Sequence, residues 1–217
     1  SSHRRQRQMC IRDSTATDLI WSESYNAVSV DEICKKANVK KGSFYHYFKS
    51  KAHLALETMS SCMDETKLKY DDIFSPTRHP IERFRGMVSY VLDQQKEISK
   101  QLGHVCGCPF ATLGSELAGQ DEEIAKTVTD ICAKKTTYYE SALRDLRAEG
   151  FVKKDLDVSR KANEIFSLII GQLIMARINN DLAFMEKNLE HALFDLIGIK
   201  ADMLNEYPVS YTHLTLP

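Results

Sequence analysis

Residues 28–51 read VSVDEICKKANVKKGSFYHYFKSK, and the spacing predicts two short helices joined by a tight turn. Ser29-Val30-Asp31-Glu32 has the form of a capping box, in which the serine hydroxyl and the glutamate side chain satisfy each other's orphan backbone donors. Asn38 tolerates the left-handed conformation that a turn needs, and Gly42-Ser43 opens a helix running through about Phe48. Val30, Ile33, Ala37, Val39, Phe44 and Phe48 form a miniature core at helical spacing. This is a helix-turn-helix, whose second helix fits a DNA major groove. Lys40 and Lys41 stand at the helix entry, where ammonium charge and backbone N–H groups can meet one phosphate. Ser43, Tyr45, His46 and Tyr47 offer donors and acceptors on a helix too short to serve mainly as core, and Lys49 and Lys51 flank its far side.

Outward from this unit, helical periodicity continues in both directions. A preceding helix is expected over about 13–24, with Ala16, Leu19 and Ile20 on one face. Ser50 caps a long helix from Lys51 to about Ile73, whose inward face would carry Leu54, Thr58, Cys62 and Leu68. After the break at Ser75-Pro76-Thr77 and Pro80, a helix from Ile81 to about Leu102 turns Phe84, Val88, Val91 and Leu92 inward. Further helices are expected at about 110–118, 121–148, 158–179 and 182–204, with Gly150 as a stop signal. The chain therefore reads as all-α, about nine helices in all. It divides into a three-helix helix-turn-helix domain over 13–51 and a larger regulatory and dimerisation domain over 52–206. The polar, basic residues 1–12 and the weakly alternating residues 207–217 read as non-native additions.

Composition agrees with a globular helical protein. The 217 residues are 43% hydrophobic and 27% charged, with 5 prolines and 9 glycines, which argues against disorder and collagen-like repeats. The net charge of -1 conceals an asymmetry: residues 1–51 hold 10 Lys/Arg against 5 Asp/Glu, leaving 19 against 25 for the remainder. Only the first part has the sign that suits a phosphate backbone. The longest apolar run, 165–176, is too short to cross a bilayer, and no secretion signal is legible, so a cytoplasmic protein without membrane contact is expected. Six irregularly spaced cysteines read as reduced thiols rather than a disulfide framework.

The stretch 28–59, and within it KKGSFYHYFKSKAHL, resembles the DNA-binding signature of the tetracycline-repressor (TetR/AcrR) family of bacterial regulators. The resemblance implies that Lys41, Gly42 and Ser43 approach phosphates or base edges at the start of the recognition helix. It further implies that Tyr45, His46 and Tyr47 face the groove or the backbone, and that Ser29 and Lys51 contact phosphates. Met9 to Ser14 departs from the family's usual first-helix start, so Arg4, Arg5, Arg7 and Arg12 are not carried over.

For the larger domain, the family implies dimerisation through the last two long helices, a palindromic operator and an enclosed small-molecule pocket. Independently, 165–176 is apolar around nearly the whole helix, as expected of one packed on its own core and against a second subunit, or of one enclosed within a single chain. Ile169, Leu173, Ala176, Leu189, Leu193 and Leu196 are the expected dimer contacts, and Met87, Tyr90, Val91, Tyr138 and Phe166 the expected pocket lining. His104-Val105-Cys106-Gly107-Cys108-Pro109 admits three readings. Cys106 and Cys108 are small core residues; or they join His104 as metal ligands at an unusually close spacing; or Cys108, at a helix start, is an electrophile or redox sensor. Residues 107–117 resemble the Gly-Cys-x-x-x-x-Leu-x-x-Glu segment of an electrophile-responsive subgroup, in which a lysine on the penultimate long helix assists the cysteine; here Arg177 stands in that region. The rival is a small helical enzyme or redox protein using Cys106 or Cys108 with His104 as base. No Gly-x-Gly-x-x-Gly, P-loop or Gly-x-Ser-x-Gly occurs, so neither a cofactor, a metal nor enzymatic activity is expected. The expected partners are an operator duplex, a second copy of the chain and a small-molecule or electrophile inducer.

Overall fold

Several of the helices start or stop at a residue suited to that job. The computed structural model describes residues 17–117, 119, 121–205 and 207. Along them run α1 (Thr17–Ser22), α2 (Val30–Lys36), α3 (Lys41–Tyr47), α4 (Lys51–Ile73) and α5 (Pro80–Leu102). They are followed by α6 (Pro109–Leu117), α7 (Glu122–Ala148), α8 (Val158–Asn179), α9 (Ala183–Ile197) and α10 (Ala201–Asn205). Ser29 caps α2 in a complete capping box, Ser50 accepts from the His53 N–H at the start of α4, and Asp121 accepts from two N–H groups at the start of α7. Asn38 (φ 52) takes the left-handed conformation in the turn before α3. No strand occurs among the described residues, so the all-α expectation holds.

Two hydrophobic clusters organise these helices. Leu19, Val28, Ile33, Cys34, Phe44, Phe48 and Leu54 close a small one around α1–α3. The larger runs from Ala55 through α5, α7, α8 and α9, with Phe74, Phe84, Tyr139, Leu143 and Phe194 among its buried side chains. The border between the clusters falls inside the first turn of α4, which gives Leu54 to one and Ala55 to the other. One rigid helix thus joins both units. Arg83, only 3% exposed, locks α5 to α7 by donating to Asp145 and to the carbonyls of Arg78 and Pro76.

Two expectations need correction. Leu68 does not face inward but is 72% exposed. Steps of four from Leu54 through Thr58 and Cys62 lead to Thr66 and Tyr70, both buried, and Leu68 lies about 200° around the helix from them. The helix expected over 182–204 is two helices, because Gly198 (φ 90) stops α9 in a left-handed cap. Tyr207, the first residue of the segment 207–217, stacks on His79 at 3.9 Å and meets Phe151 edge-on. Ala16 and residues 1–12 and 208–217 lie outside the described residues.

Candidate functional site

The α2–α3 unit turns one polar face outward. Lys40, Lys41, Gly42, Tyr45, His46 and Ser29 are exposed, whereas Ser43 and Tyr47 are half-buried, Tyr47 against the small core. Lys40 occupies the N-cap of α3 without a side-chain capping bond, and Tyr45 stands 52% exposed with its ring edge-on to Phe44. The Lys41 ammonium pairs with Asp31 at 2.9 Å, bridging α2 and α3. At Gly42 an added Cβ would meet nothing within 4 Å, so the chain's own packing does not require glycine there. Ser29 accepts from the Glu32 N–H at 3.2 Å, a use that leaves its hydroxyl proton available.

Lys51 has a different position from the one expected. Its ammonium donates to the carbonyls of Tyr25 (2.8 Å) and Val28 (2.9 Å) and lies 4.1 Å from the Tyr25 ring centroid. The connection between α1 and α2 folds across the start of α4 and engages this charge. Burial pulls the ammonium below the ordinary lysine value. Lys51 therefore ties the small unit to α4.

The second constellation centres on Gly107. Its carbonyl accepts from the Trp21 indole N–H of α1 (2.9 Å) and from the Gln95 side-chain amide of α5 (3.1 Å), and its own N–H donates back to Gln95 (3.1 Å). Around it, Glu116 of α6 accepts from the Ser24 hydroxyl and the Asn26 N–H, and a ring nitrogen of His104 lies 3.1 Å from the Ser22 carbonyl. The loop 103–108 and α6 thus hold α1 and the connection after it through four polar contacts that span 82 to 92 residues of sequence.

Trp21 and Gly107 also wall a cavity of about 40 Å³ enclosed by α4, α5, α6, α7 and α8. Tyr90, Val91, Phe166 and Cys108 are among the residues that line it. Met87 and Tyr138 are not among its walls. Met87 is fully buried in the main core, and Tyr138 turns away to donate to Asp71, burial and that bond pushing its phenol up to about 12. Spacing alone missed Trp21, Cys62, Thr66, Tyr70, Gln95, Lys135 and Tyr139, which reach the same space from four helices. Tyr70 and Tyr139 share a hydroxyl contact of 3.2 Å, and burial raises both phenols. Burial likewise pushes the Cys62 thiol up to about 11, against the pull of Lys135.

The thiol–imidazole pair of the enzyme reading is not assembled. The ring nitrogens of His104 sit at the carbonyls of Leu102 (3.2 Å) and Ser22 (3.1 Å), and the Cys106 thiol points at the backbone carbonyl of His104. Cys106 is fully buried outside the cavity, with burial raising its pKa against the opposing charge of Arg177. Arg177 itself donates to the Cys106 carbonyl and to the Thr112 hydroxyl. Among the described residues no group of three His, Cys, Asp or Glu side chains is arranged to hold a metal ion, and no helix is long and apolar enough to cross a membrane.

Comparison with known proteins matches residues 14–58 to "Bacterial regulatory proteins, tetR family" and residues 80–192 to "Tetracyclin repressor-like, C-terminal domain". The chain belongs to the TetR family of bacterial regulatory proteins. Relatives in this family include an uncharacterised HTH-type transcriptional regulator of Lactococcus lactis, 27% identical over 197 residues that cover 88% of this chain and 92% of that one. They also include the HTH-type transcriptional repressor NemR of Escherichia coli, 20% identical, with 82% and 88% of the two chains covered. Two solved structures share the TetR fold. A TetR-family regulator of Agrobacterium tumefaciens has a TM-score of 0.80 at 20% identity, over 91% of this chain and all of that one. A regulatory protein TetR of Rhodobacter sphaeroides has a TM-score of 0.73 at 23% identity, over 88% and 96% of the two chains.

On the last helices of this TetR-family chain, the residues expected to meet a second subunit are mostly engaged already. Ile169, Leu173, Ala176, Leu189 and Leu193 are buried in the chain's own core, and Leu196 is half-buried against it. The apolar side chains left outside are Ile174, Met175, Ile178 and Phe184, the last two each 68% exposed.

Gly107 (φ 71) is required twice over, because a Cβ there would lie 3.2 Å from the Leu173 carbonyl oxygen as well as straining the left-handed backbone. Gly107→Ala is expected to lower stability by more than the roughly 1–2 kcal/mol of backbone strain alone. Gly103→Ala, at φ 81 with nothing within 4 Å of the new carbon, isolates that backbone contribution. Thermal unfolding of the two variants compares them, and equal losses would remove the steric role assigned to Gly107.

Proposed function

We propose that this protein is a homodimeric DNA-binding transcriptional repressor that leaves a palindromic operator when a small molecule enters the cavity beside Trp21. The observation that carries the DNA reading is Gly42: an exposed helical glycine, free of internal contacts, between the lysine pair and the exposed Tyr45. An exposed helical glycine costs about 1 kcal/mol relative to alanine, so its value lies in what approaches from outside. A phosphate can come close to the α3 N-terminus there, where free N–H groups and the ammonium groups of Lys40 and Lys41 converge. Binding exchanges the Lys41–Asp31 pair for Lys41–phosphate, while Ser43, Tyr45, His46 and Tyr47 line the groove side. Ser29 adds a hydroxyl donor, and Lys51 acts indirectly by fixing the head on α4.

Dimerisation through Gly171, Ile174, Met175, Ile178 and Phe184 would cover the apolar stripe that one copy leaves in water. Two-fold symmetry then sets the recognition helices about 34–36 Å apart, one turn of duplex. The inducer reading rests on the shared wall. Trp21 belongs to the reading head and Gly107 to the regulatory body, so a molecule wedged between them favours one head orientation over another. An electrophile small enough to enter would meet the thiols of Cys108 and Cys62.

Titration of a fluorescent operator duplex against salt tests the DNA reading, with a steep loss of affinity as salt rises. Gly42→Ala should bind at least about tenfold more weakly, the equivalent of roughly 1.4 kcal/mol, while melting no lower than the parent protein. Undiminished affinity in that variant would contradict the assigned approach of the phosphate. The electrophile route is tested by acrolein, a three-carbon electrophile of the size the cavity admits, which should release the operator from the parent protein but not from Cys108→Ser. An unchanged response in the variant removes Cys108 from the mechanism.

A further inference from the structure

The cavity contains a charge that its surroundings do not balance. Lys135 of α7 is the one lining side chain with a full formal charge, and no carboxylate pairs with it among the described residues. Its ammonium lies 4.9 Å from the Phe110 ring centroid and 6.0 Å from that of Tyr70, so two aromatic rings stand beside the charge. Glu65 acts electrostatically on the neighbouring Cys62 and Tyr90, yet it is solvent-exposed and forms no ion pair with Lys135. A half-buried ammonium in the cavity wall with no carboxylate paired to it offers an anion in the adjoining space a direct charge-assisted contact.

The rest of the wall defines the other end of such a molecule. Val91, Phe166, Ile169 and Leu173 are apolar, while the Tyr90 hydroxyl and the Gln94 amide offer polar contact. The volume of about 40 Å³ corresponds to about three water molecules. That is room for a carboxylate group and a body of two or three carbons, not for a fused ring system.

We infer that this cavity binds a small monocarboxylate, with its anionic group on the Lys135 ammonium and its short apolar body against α5 and α8. The assignment rests on the ligand-responsive regulator proposed above and names the class of molecule it responds to. The ligand needs no covalent chemistry at Cys108; the thiol is part of the wall. Trp21, the only tryptophan in the chain, lines the same space, so it reports occupancy directly.

Propionate and its neutral isostere propionamide are the probes, titrated into the full chain without DNA while Trp21 emission is recorded. Propionate should give a saturable change, and propionamide should bind at least about tenfold more weakly. Lys135→Met should lose the propionate response and Lys135→Arg should keep it, each variant first checked for an unaltered melt. Equal binding of the two probes, undiminished binding by Lys135→Met, or no saturable change with propionate would each overturn the assignment. Comparing probes on the unmodified chain decides the question even if a variant fails to fold. Operator release is then read separately by anisotropy. Binding without release leaves the carboxylate site standing and counts against the regulatory reading.

Discussion

The backbone carbonyl of Gly107 holds two units of this protein in register. It accepts from an indole on α1 and an amide on α5, and both donors are buried. Buried carbonyls with two satisfied lone pairs are costly to disturb, because any shift that breaks one bond leaves a polar group without water to replace the partner. The left-handed conformation of Gly107 and its close approach to α8 make that carbonyl's position a property of the whole regulatory body. Head orientation is thus referred to a point deep in the larger domain rather than to the surface of either unit.

A second link runs through α4. Its first turn belongs to the small core through Leu54, and from Ala55 onward it belongs to the large one. Lys51 fastens that turn to the α1–α2 connection by two carbonyl bonds. Cavity contents that move Cys62, Thr66 or Tyr70 therefore move the same helix that carries the head. Both links border the cavity, one through Trp21 and one through α4, so the proposed coupling of a ligand to the reading surface has two routes through packed structure.

The parts legible in the sequence were those settled by neighbours in the chain. Ser29 and Glu32 cap one turn of helix, Asn38 and Gly150 mark helix ends, and Ser50 starts α4; each is a local matter of backbone donors and allowed dihedrals. Contacts across the fold were less accessible. Residues 165–176 are apolar on all sides, and periodicity cannot say which stripe meets the chain's own core, so Ile169 and Leu173 were expected at the surface that Ile174 and Ile178 occupy. Trp21 and Lys135 carried no sequence signal at all, since nothing near either residue in the chain shows that α1 and α7 border one cavity. Cys106 and Cys108 looked equivalent two residues apart, yet the left-handed Gly107 between them sends only Cys108 to the cavity.

The central claim is that the Trp21–Gly107 bond fixes the orientation of the reading head. The affinity of Trp21→Phe for a labelled operator duplex tests it, because Trp21 is buried away from the polar face of α3 and phenylalanine keeps the ring but not the N–H donor. If the bond fixes orientation, the variant spends less time in the binding-competent arrangement, so it binds the operator several-fold more weakly with unchanged helix content. Operator affinity equal to that of the parent protein would contradict the account.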